Sequence, residues 1–208
     1  MPDEPAGAAA LRRLAAAAPD DPWIFFRGER GHFRWWSHAR ALATLDGAAA
    51  DPTGGAAVAC EAVERLRGAG DDECRSARAL LDALGPGPGR DIWISWRSFE
   101  LRRERVALLA ATLGGWAILR EPGDGLHPSV LAWARPTLLI GGAGELEELL
   151  AGFEAEAPRA FRARWLRRRL ARLRAVMIDD DAASGSLARR LVGLGAETGI
   201  VSPPADGW

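Results

Sequence analysis

The chain has 208 residues, of which 48% are hydrophobic and 26% are charged, and its formal net charge is -1. This size and composition fit a soluble protein with a core of its own, and the near-neutral charge gives the whole molecule no attraction to nucleic acid. All 27 basic residues are arginine, which excludes a Schiff-base lysine, a lysine nucleophile and a Walker-type phosphate loop.

Cysteine usage and apolar run length indicate the compartment. Cys60 and Cys74 are too few for a disulfide framework and are not spaced as a zinc site. No apolar run approaches the length of a membrane span, so we expect no transmembrane segment. Asp3 and Glu4 stand where a signal peptide carries positive charge. We therefore expect a cytoplasmic protein.

The first half of the chain predicts helices around one aromatic hairpin. Residues 23–26 and 33–36 are aromatic strands on either side of a glycine-containing turn, and Ser37 is placed to cap a helix that ends near Leu45. The remaining predicted helices of this half cover 8–18, 56–68 and 72–84. A run of alternating glycine and proline at 85–89 ends this part of the chain.

The second half alternates short apolar strands with helices. Strands are predicted at 92–96, 116–119, 137–140, 175–178 and 198–201, and helices at 99–113, 128–134, 145–153, 159–173 and 186–194. This alternation predicts β-α-β units. We expect an α/β fold with a mostly parallel sheet and helices on both faces, preceded by the helical segment and its hairpin. The expected divisions are 1–90 and 91–208, which together form one compact unit.

Several segments of the chain resemble one enzyme family. The segments are 104–110, 113–115, 134–141 with its Arg135-Pro136-Thr137, and 146–150. In this order they resemble the adenylate-forming superfamily, in particular the long-chain acyl-CoA synthetases, and the resemblance extends to 8–45 and 172–201. It implies an inherited activity of ATP-dependent acid–thiol ligation, with a fatty acid as substrate and with ATP, Mg²⁺ and CoA as cofactors.

The chain also departs from that family's motifs. The phosphate-binding loop Ser-Gly-Thr-Thr-Gly-x-Pro-Lys is absent, and residues 46–91 take its place. The Ser-Gly-Gly-Ala turn is replaced by residues 179–183, and the lid domain with its catalytic lysine has no counterpart. Losing one electrostatic element of an active site costs on the order of 10²–10³ in rate. We therefore expect a truncated, degenerate pseudoenzyme that needs no cofactor and retains an acyl- or partner-binding surface.

Three carboxylates follow the strand predicted at 175–178. Asp179, Asp180 and Asp181 stand where open α/β sheets bind ligands, and clustered carboxylates suit Mg²⁺ or a small phosphoryl-transfer enzyme. The alternative is a solvated loop that caps the following helix. We favour the loop because the sequence places no second carboxylate cluster beside it.

The helix predicted at 159–173 carries an arginine-rich face. The candidate anion- or partner-binding residues are Arg162, Arg164, Arg167, Arg168, Arg169 and Arg172. Such a face could bind a phosphate-rich partner or an anionic membrane. The alternative is a salt-bridged surface whose acids lie on the preceding helix, from Glu145 to Glu156. The acids match the arginines well, which favours the salt-bridged surface.

The hairpin tryptophans carry the second functional hypothesis. Trp23, Trp35 and Trp36 could form an aromatic face for a partner, or could belong to the core, which we favour. With the arginine-rich helix they would make a protein-interaction module. We accordingly expect a protein partner or self-association, allow an apolar acyl ligand, and do not expect nucleic acid.

Overall fold

A computed structural model describes residues 4–28, 32–47, 56–85, 90–121, 133–156, 170–178 and 199–201, with the single positions 130, 164, 168 and 187. Within these residues the helices are α1 Ala6–Ala17, α2 His38–Leu45, α3 Ala56–Arg67, α4 Asp71–Leu84, α5 Arg102–Gly114 and α6 Ala143–Glu156. The strands are β1 Pro22–Arg27, β2 Phe33–Ser37, β3 Ile92–Ser95, β4 Ala117–Arg120, β5 Leu138–Gly141, β6 Ala175–Ile178 and β7 Gly199–Val201.

The described strands form one seven-stranded sheet in the order β2-β1-β4-β3-β5-β6-β7. Only β1 and β2 pair antiparallel, and every other neighbouring pair is parallel. The predicted α/β fold with a mostly parallel sheet is therefore confirmed. The hairpin joins this sheet, because Ile24 and Phe25 of β1 pair in parallel with Ile118 and Leu119 of β4.

Helices cover both faces of the sheet. Successive strand residues point to opposite faces, so Trp93 packs with α1 to α5 while Ile94 packs with α6. In β4, Ile118 likewise packs on the face covered by α1 to α5, and Leu119 packs on the face covered by α6. All four residues of β4, of β5 and of β6 are buried, as expected for parallel strands covered on both faces.

Helix ends follow local sequence signals. Ser37 accepts a hydrogen bond from the Arg40 amide, which confirms the predicted cap of α2. Gly115 ends α5 in the left-handed conformation with φ 69°. α5 begins at Arg102 rather than at the predicted residue 99, because Ser98 accepts a hydrogen bond from the Glu100 amide and forms a turn there.

A buried polar clasp joins the amino ends of three strands. Arg174, just before β6, donates to Asp91 from Nε at 2.8 Å and from Nη2 at 2.5 Å. Thr137, just before β5, donates to the same carboxylate at 2.7 Å and accepts from the Ile92 amide at 2.8 Å. The threonine of the Arg-Pro-Thr segment therefore has a structural role in this chain, because it ties β3 to β5.

Candidate functional site

The order of the strands locates the candidate site. The chain passes from β3 to β4 in one direction and then returns across β3 to continue through β5 and β6 in the other. In open α/β sheets, ligands bind beyond the carboxyl ends of the strands at the point where the order reverses. Here that point lies between Ser95 at the end of β3 and Gly141 at the end of β5.

A buried polar group lies beneath this point on the α5 side of the sheet. Ser95 donates a hydrogen bond of 2.6 Å from Oγ to Oε2 of Glu104, and both residues are buried. Nη1 of Arg120, at the end of β4, lies 3.5 Å from the same Oγ. The Arg120 guanidinium is 4.8 Å from the centre of the Phe99 ring. β3, β4 and α5 together hold one carboxylate and one guanidinium out of water.

Burial sets the charge state of this group. It raises the pKa of Glu104 from 4.5 to about 7, although the hydrogen bond from Ser95 and the charges of Arg103 and Arg120 act in the opposite direction. Burial likewise lowers the pKa of Arg120, and Glu104 partly offsets that effect. Glu104 therefore changes its charge close to neutral pH.

A second network closes the start of α6. Glu145 accepts a hydrogen bond of 3.1 Å from the Gly142 amide and one of 2.8 Å from Arg103 Nη2. Its other oxygen lies 3.0 Å from Nε of Arg97, in the loop after β3. Glu145 is the third residue of the helix and reaches back to the residue before it, as the acidic member of a capping box does.

This arrangement fills a position that suits an external anion. A helix amino terminus at the carboxyl edge of a sheet binds phosphate, because its free amides and its dipole favour negative charge. In this chain the Glu145 carboxylate occupies that end of α6 and is also bound by Arg97 and Arg103. A phosphate could bind there only by displacing a charge-assisted hydrogen-bond network.

Aromatic side chains lie near the hairpin, on the sheet face that α6 also covers. Phe33 stacks on Trp133 with ring centres 4.3 Å apart, and Phe25 meets Trp133 edge-on at 5.8 Å. Trp133 is 53% exposed. Arg27, at the carboxyl end of β1, lies 2.9 Å from Glu121 and 5.4 Å from the centre of the Phe33 ring. We call Phe25, Phe33 and Trp133 the aromatic cluster.

Most of the sequence-predicted site residues remain predictions. Asp179, Asp180, Asp181, Arg162, Arg167 and Arg169 lie outside the described residues. Arg164, Arg168 and Arg172 are exposed. Among the described residues, no group of three or more histidine, cysteine or acidic residues could hold a metal ion. Glu145, predicted as a partner of the arginine-rich helix, binds Arg97 and Arg103.

The sequence left open whether the hairpin tryptophans belong to the core or form an exposed aromatic face, and the structure has tryptophans of both kinds. Trp23 and Trp36 are buried in the core, whereas Trp35 is 48% exposed. Trp23 also donates a hydrogen bond of 3.2 Å to Thr112 of α5.

Sequence reasoning missed Glu104 and its partners. Glu104, Leu108 and Ala111 recur at helical spacing on one buried stripe of α5. A charged residue on an otherwise apolar stripe is the signal that could have identified it. No local signal identifies Ser95, because its hydrogen bond to Glu104 depends on how β3 meets α5.

Comparisons with known proteins agree with this fold. No family model matches the chain, and no curated protein is similar to it in sequence. The crystal structure of CmiS6 superposes with a TM-score of 0.65 at 14% identity, over 97% of this chain and 72% of that chain. A protein of Rhodopseudomonas palustris assigned as a long-chain-fatty-acid CoA ligase gives 0.60 at 13% identity, over 90% and 72%.

These similarities concern the fold, since the identities are low. The described structure shares its fold with CmiS6 and with a protein assigned as a long-chain-fatty-acid CoA ligase, the class of enzyme that the sequence resembles. None of the described helices combines the length and the hydropathy that crossing a membrane requires.

Proposed function

We propose that this chain is an acyl-CoA-ligase-like protein that binds an apolar carboxylic acid and does not adenylate it independently. The observation that carries the proposal is the position of the Glu145 carboxylate at the start of α6, where it holds Gly142, Arg97 and Arg103. Adenylation requires unoccupied donors around a triphosphate. At this position, the donors are bound by the protein's own carboxylate.

Charge balance at the carboxyl edge supports the same proposal. Arg27 is paired with Glu121, and Arg97 and Arg103 are paired with Glu145. Each pairing lowers the free energy that the arginine could gain from a phosphate, because the existing ion pair must first be broken. A single carboxylate group makes a smaller electrostatic demand on the site than a triphosphate does.

The acyl part of the proposal rests on two observations. A similarly folded protein is assigned as a long-chain-fatty-acid CoA ligase, and the described edge carries partly exposed apolar groups beside its charges. Trp133 of the aromatic cluster and Leu101 of the loop before α5 are both exposed, at 53% and 45%. Burying apolar surface of this kind against an alkyl chain contributes roughly 25 cal/mol per Å².

The first test is ATP–pyrophosphate exchange by the purified protein with a series of fatty acids, together with its thermal stability in ATP·Mg²⁺, AMP, CoA and fatty acid, each added separately. We expect no exchange and no nucleotide-dependent shift, and we expect a fatty acid to raise the melting temperature. Exchange above the no-enzyme control, or stabilisation by ATP·Mg²⁺, would show that the proposal of a lost adenylation site is wrong.

The second test opens the start of α6. Replacing Glu145 with alanine removes the carboxylate that the Gly142 amide, Arg97 and Arg103 contact, so the Glu145→Ala variant is expected to gain stability from inorganic phosphate that the original protein does not gain. The melting temperature is measured across a phosphate titration at constant ionic strength. Glu148→Ala, at an exposed position of the same helix, is the matched control. Equal phosphate responses in all three proteins would remove Glu145 as the group that closes the site.

A protein-interaction module is the second candidate function. It is favoured by the exposure of Trp35 at 48% and of Trp133 at 53%, because large exposed apolar side chains mark contact surfaces. The two candidates differ in what raises the melting temperature of the purified protein. A fatty acid does so in the first, and a protein partner in the second.

A further inference from the structure

The outer edge of β2 is open in the described structure. β2 stands at one end of the sheet, and among the described strands it pairs only with β1. An edge strand presents unpaired amide and carbonyl groups to any strand that can approach it. Natural proteins protect such an edge with charge or proline. β2 carries one exposed charge, Arg34, and its middle residue is the half-exposed Trp35.

The hydrogen-bond pattern of the hairpin shows which groups face outward. The Gly28 amide donates to the His32 carbonyl at 2.9 Å, and the pairs Phe26↔Arg34 and Ile24↔Trp36 follow in register. Antiparallel pairs alternate between hydrogen-bonded and non-hydrogen-bonded. Arg34 and Trp36 therefore turn their amides and carbonyls toward β1. Phe33 and Trp35, which alternate with them, turn both groups toward the open edge. Ser37 turns only its amide there, because its carbonyl accepts the first hydrogen bond of α2.

We infer that a second copy of this chain pairs with this edge, through an antiparallel contact of the two β2 strands about a two-fold axis at Trp35. In that register the outward groups of Trp35 meet those of Trp35 in the other copy, and Phe33 meets Ser37. Both groups of Trp35, the Phe33 carbonyl and the Ser37 amide are then paired in both copies. The interface is isologous, so one surface satisfies itself.

Charge selects this register over its neighbour. A two-fold axis at Arg34 would place the two Arg34 side chains directly opposite each other, and like charges at that position are destabilising. An axis at Trp35 instead places two aromatic side chains opposite each other, which is a favourable cross-strand pair. Phe33 and Trp35 share the face of the hairpin that carries the aromatic cluster, so pairing makes that surface continuous across two copies.

A second copy of the chain is the protein partner in the second candidate function, the interaction module, and the pairing of β2 strands rests on that function. It is separable from the acyl-binding proposal, because it concerns the hairpin edge and leaves the start of α6 unchanged. If the exchange and fatty-acid tests contradict the proposed function, the expected dimerisation is unaffected. If the protein is monomeric, the expected results of those tests are unaffected.

Sedimentation velocity over a range of protein concentrations tests the inference on the full chain. We expect a monomer–dimer equilibrium for the original protein. Trp35→Pro removes an outward amide that β1 does not use, and it should weaken dimerisation by about 100-fold or more. Trp35→Thr keeps the amide and loses only the ring, so it should weaken dimerisation by about 10-fold. Leu101→Thr, which removes an exposed apolar group away from the hairpin, should not change it.

Three results would overturn the inference. They are a protein that stays monomeric at every concentration, a Trp35→Pro variant that dimerises like the original, and equal losses in Trp35→Pro and Trp35→Thr. The last result would mean that the aromatic ring alone makes the contact. Amide hydrogen exchange of the unaltered protein gives a second measurement that needs no variant. The Trp35 amide should be protected at high concentration and exchange freely on dilution, and equal exchange at both concentrations would also overturn the inference.

Discussion

Replacing Asp91 with alanine is expected to lower the free energy of unfolding by about 3–5 kcal/mol. Asp91 is buried and accepts two hydrogen bonds from Arg174 and one from Thr137. Removing the carboxylate leaves the Arg174 guanidinium largely buried beside the carbonyls of Leu84 and Gly85, which do not neutralise its charge. Urea denaturation of the original and variant proteins measures the difference.

Two further variants show whether the loss comes from the broken pair. The double replacement Asp91→Leu with Arg174→Met removes both charges, and it should recover much of the stability lost in the single variant. Glu64→Ala breaks an exposed ion pair with Arg67 one helical turn away, and it should cost less than about 1 kcal/mol. Losses of similar size for Asp91→Ala and Glu64→Ala would contradict a structural role for the clasp.

Among the described residues, the sequence predicted the secondary structure well because each element has a local signal. The helices predicted at 128–134, 159–173 and 186–194 lie mainly outside these residues. The aromatic hairpin, the Ser37 cap and the strand at Ala175–Ile178 all lie where the pattern indicated. The start of α5 moved by three residues because Ser98 forms a turn, and a helical periodicity count does not include that competing hydrogen bond.

Long-range pairing is the part of the fold that the pattern left open. The pairing of β1 with β4 joins residues about ninety positions apart, and nothing in either segment identifies the other as its neighbour. The reversal between β3 and β5, which locates the candidate site, follows from this sheet order. The same limit applies to the clasp, since Asp91 and Arg174 come together only when β3, β5 and β6 are assembled.

The candidate site was harder to predict than the fold, for a physical reason. The sequence indicated metal ligands in the Asp179–Asp181 run and an anion-binding face on the arginine-rich helix, and most of these residues lie outside the described part of the chain. The structure instead brings together Glu104 and Glu145 with arginines from three separate segments. No sequence motif marks a carboxylate of the chain that occupies an anion-binding position. Glu145 has the same local sequence pattern as an ordinary capping residue.

The buried carboxyl of Glu104 makes stability depend on pH near neutrality. Its pKa is about 7 in the folded protein and 4.5 without burial, so between these values the folded protein holds a proton that the unfolded chain has released. The free energy of unfolding therefore falls as the pH rises through this window. The pKa difference corresponds to about 3 kcal/mol, present below pH 4.5 and lost above pH 7.

Glu104→Gln removes this titration, and the amide that replaces the carboxyl can still hydrogen-bond to Ser95. Relative to the original protein, the variant is expected to gain about 3 kcal/mol between pH 4.5 and about pH 8, measured by urea denaturation at each pH. The exposed Glu148→Gln is the matched control and should show no such relative gain. A constant stability difference between Glu104→Gln and the original protein across this range would mean that Glu104 keeps its charge in the folded protein. The Arg103 and Arg120 guanidiniums would then outweigh its burial.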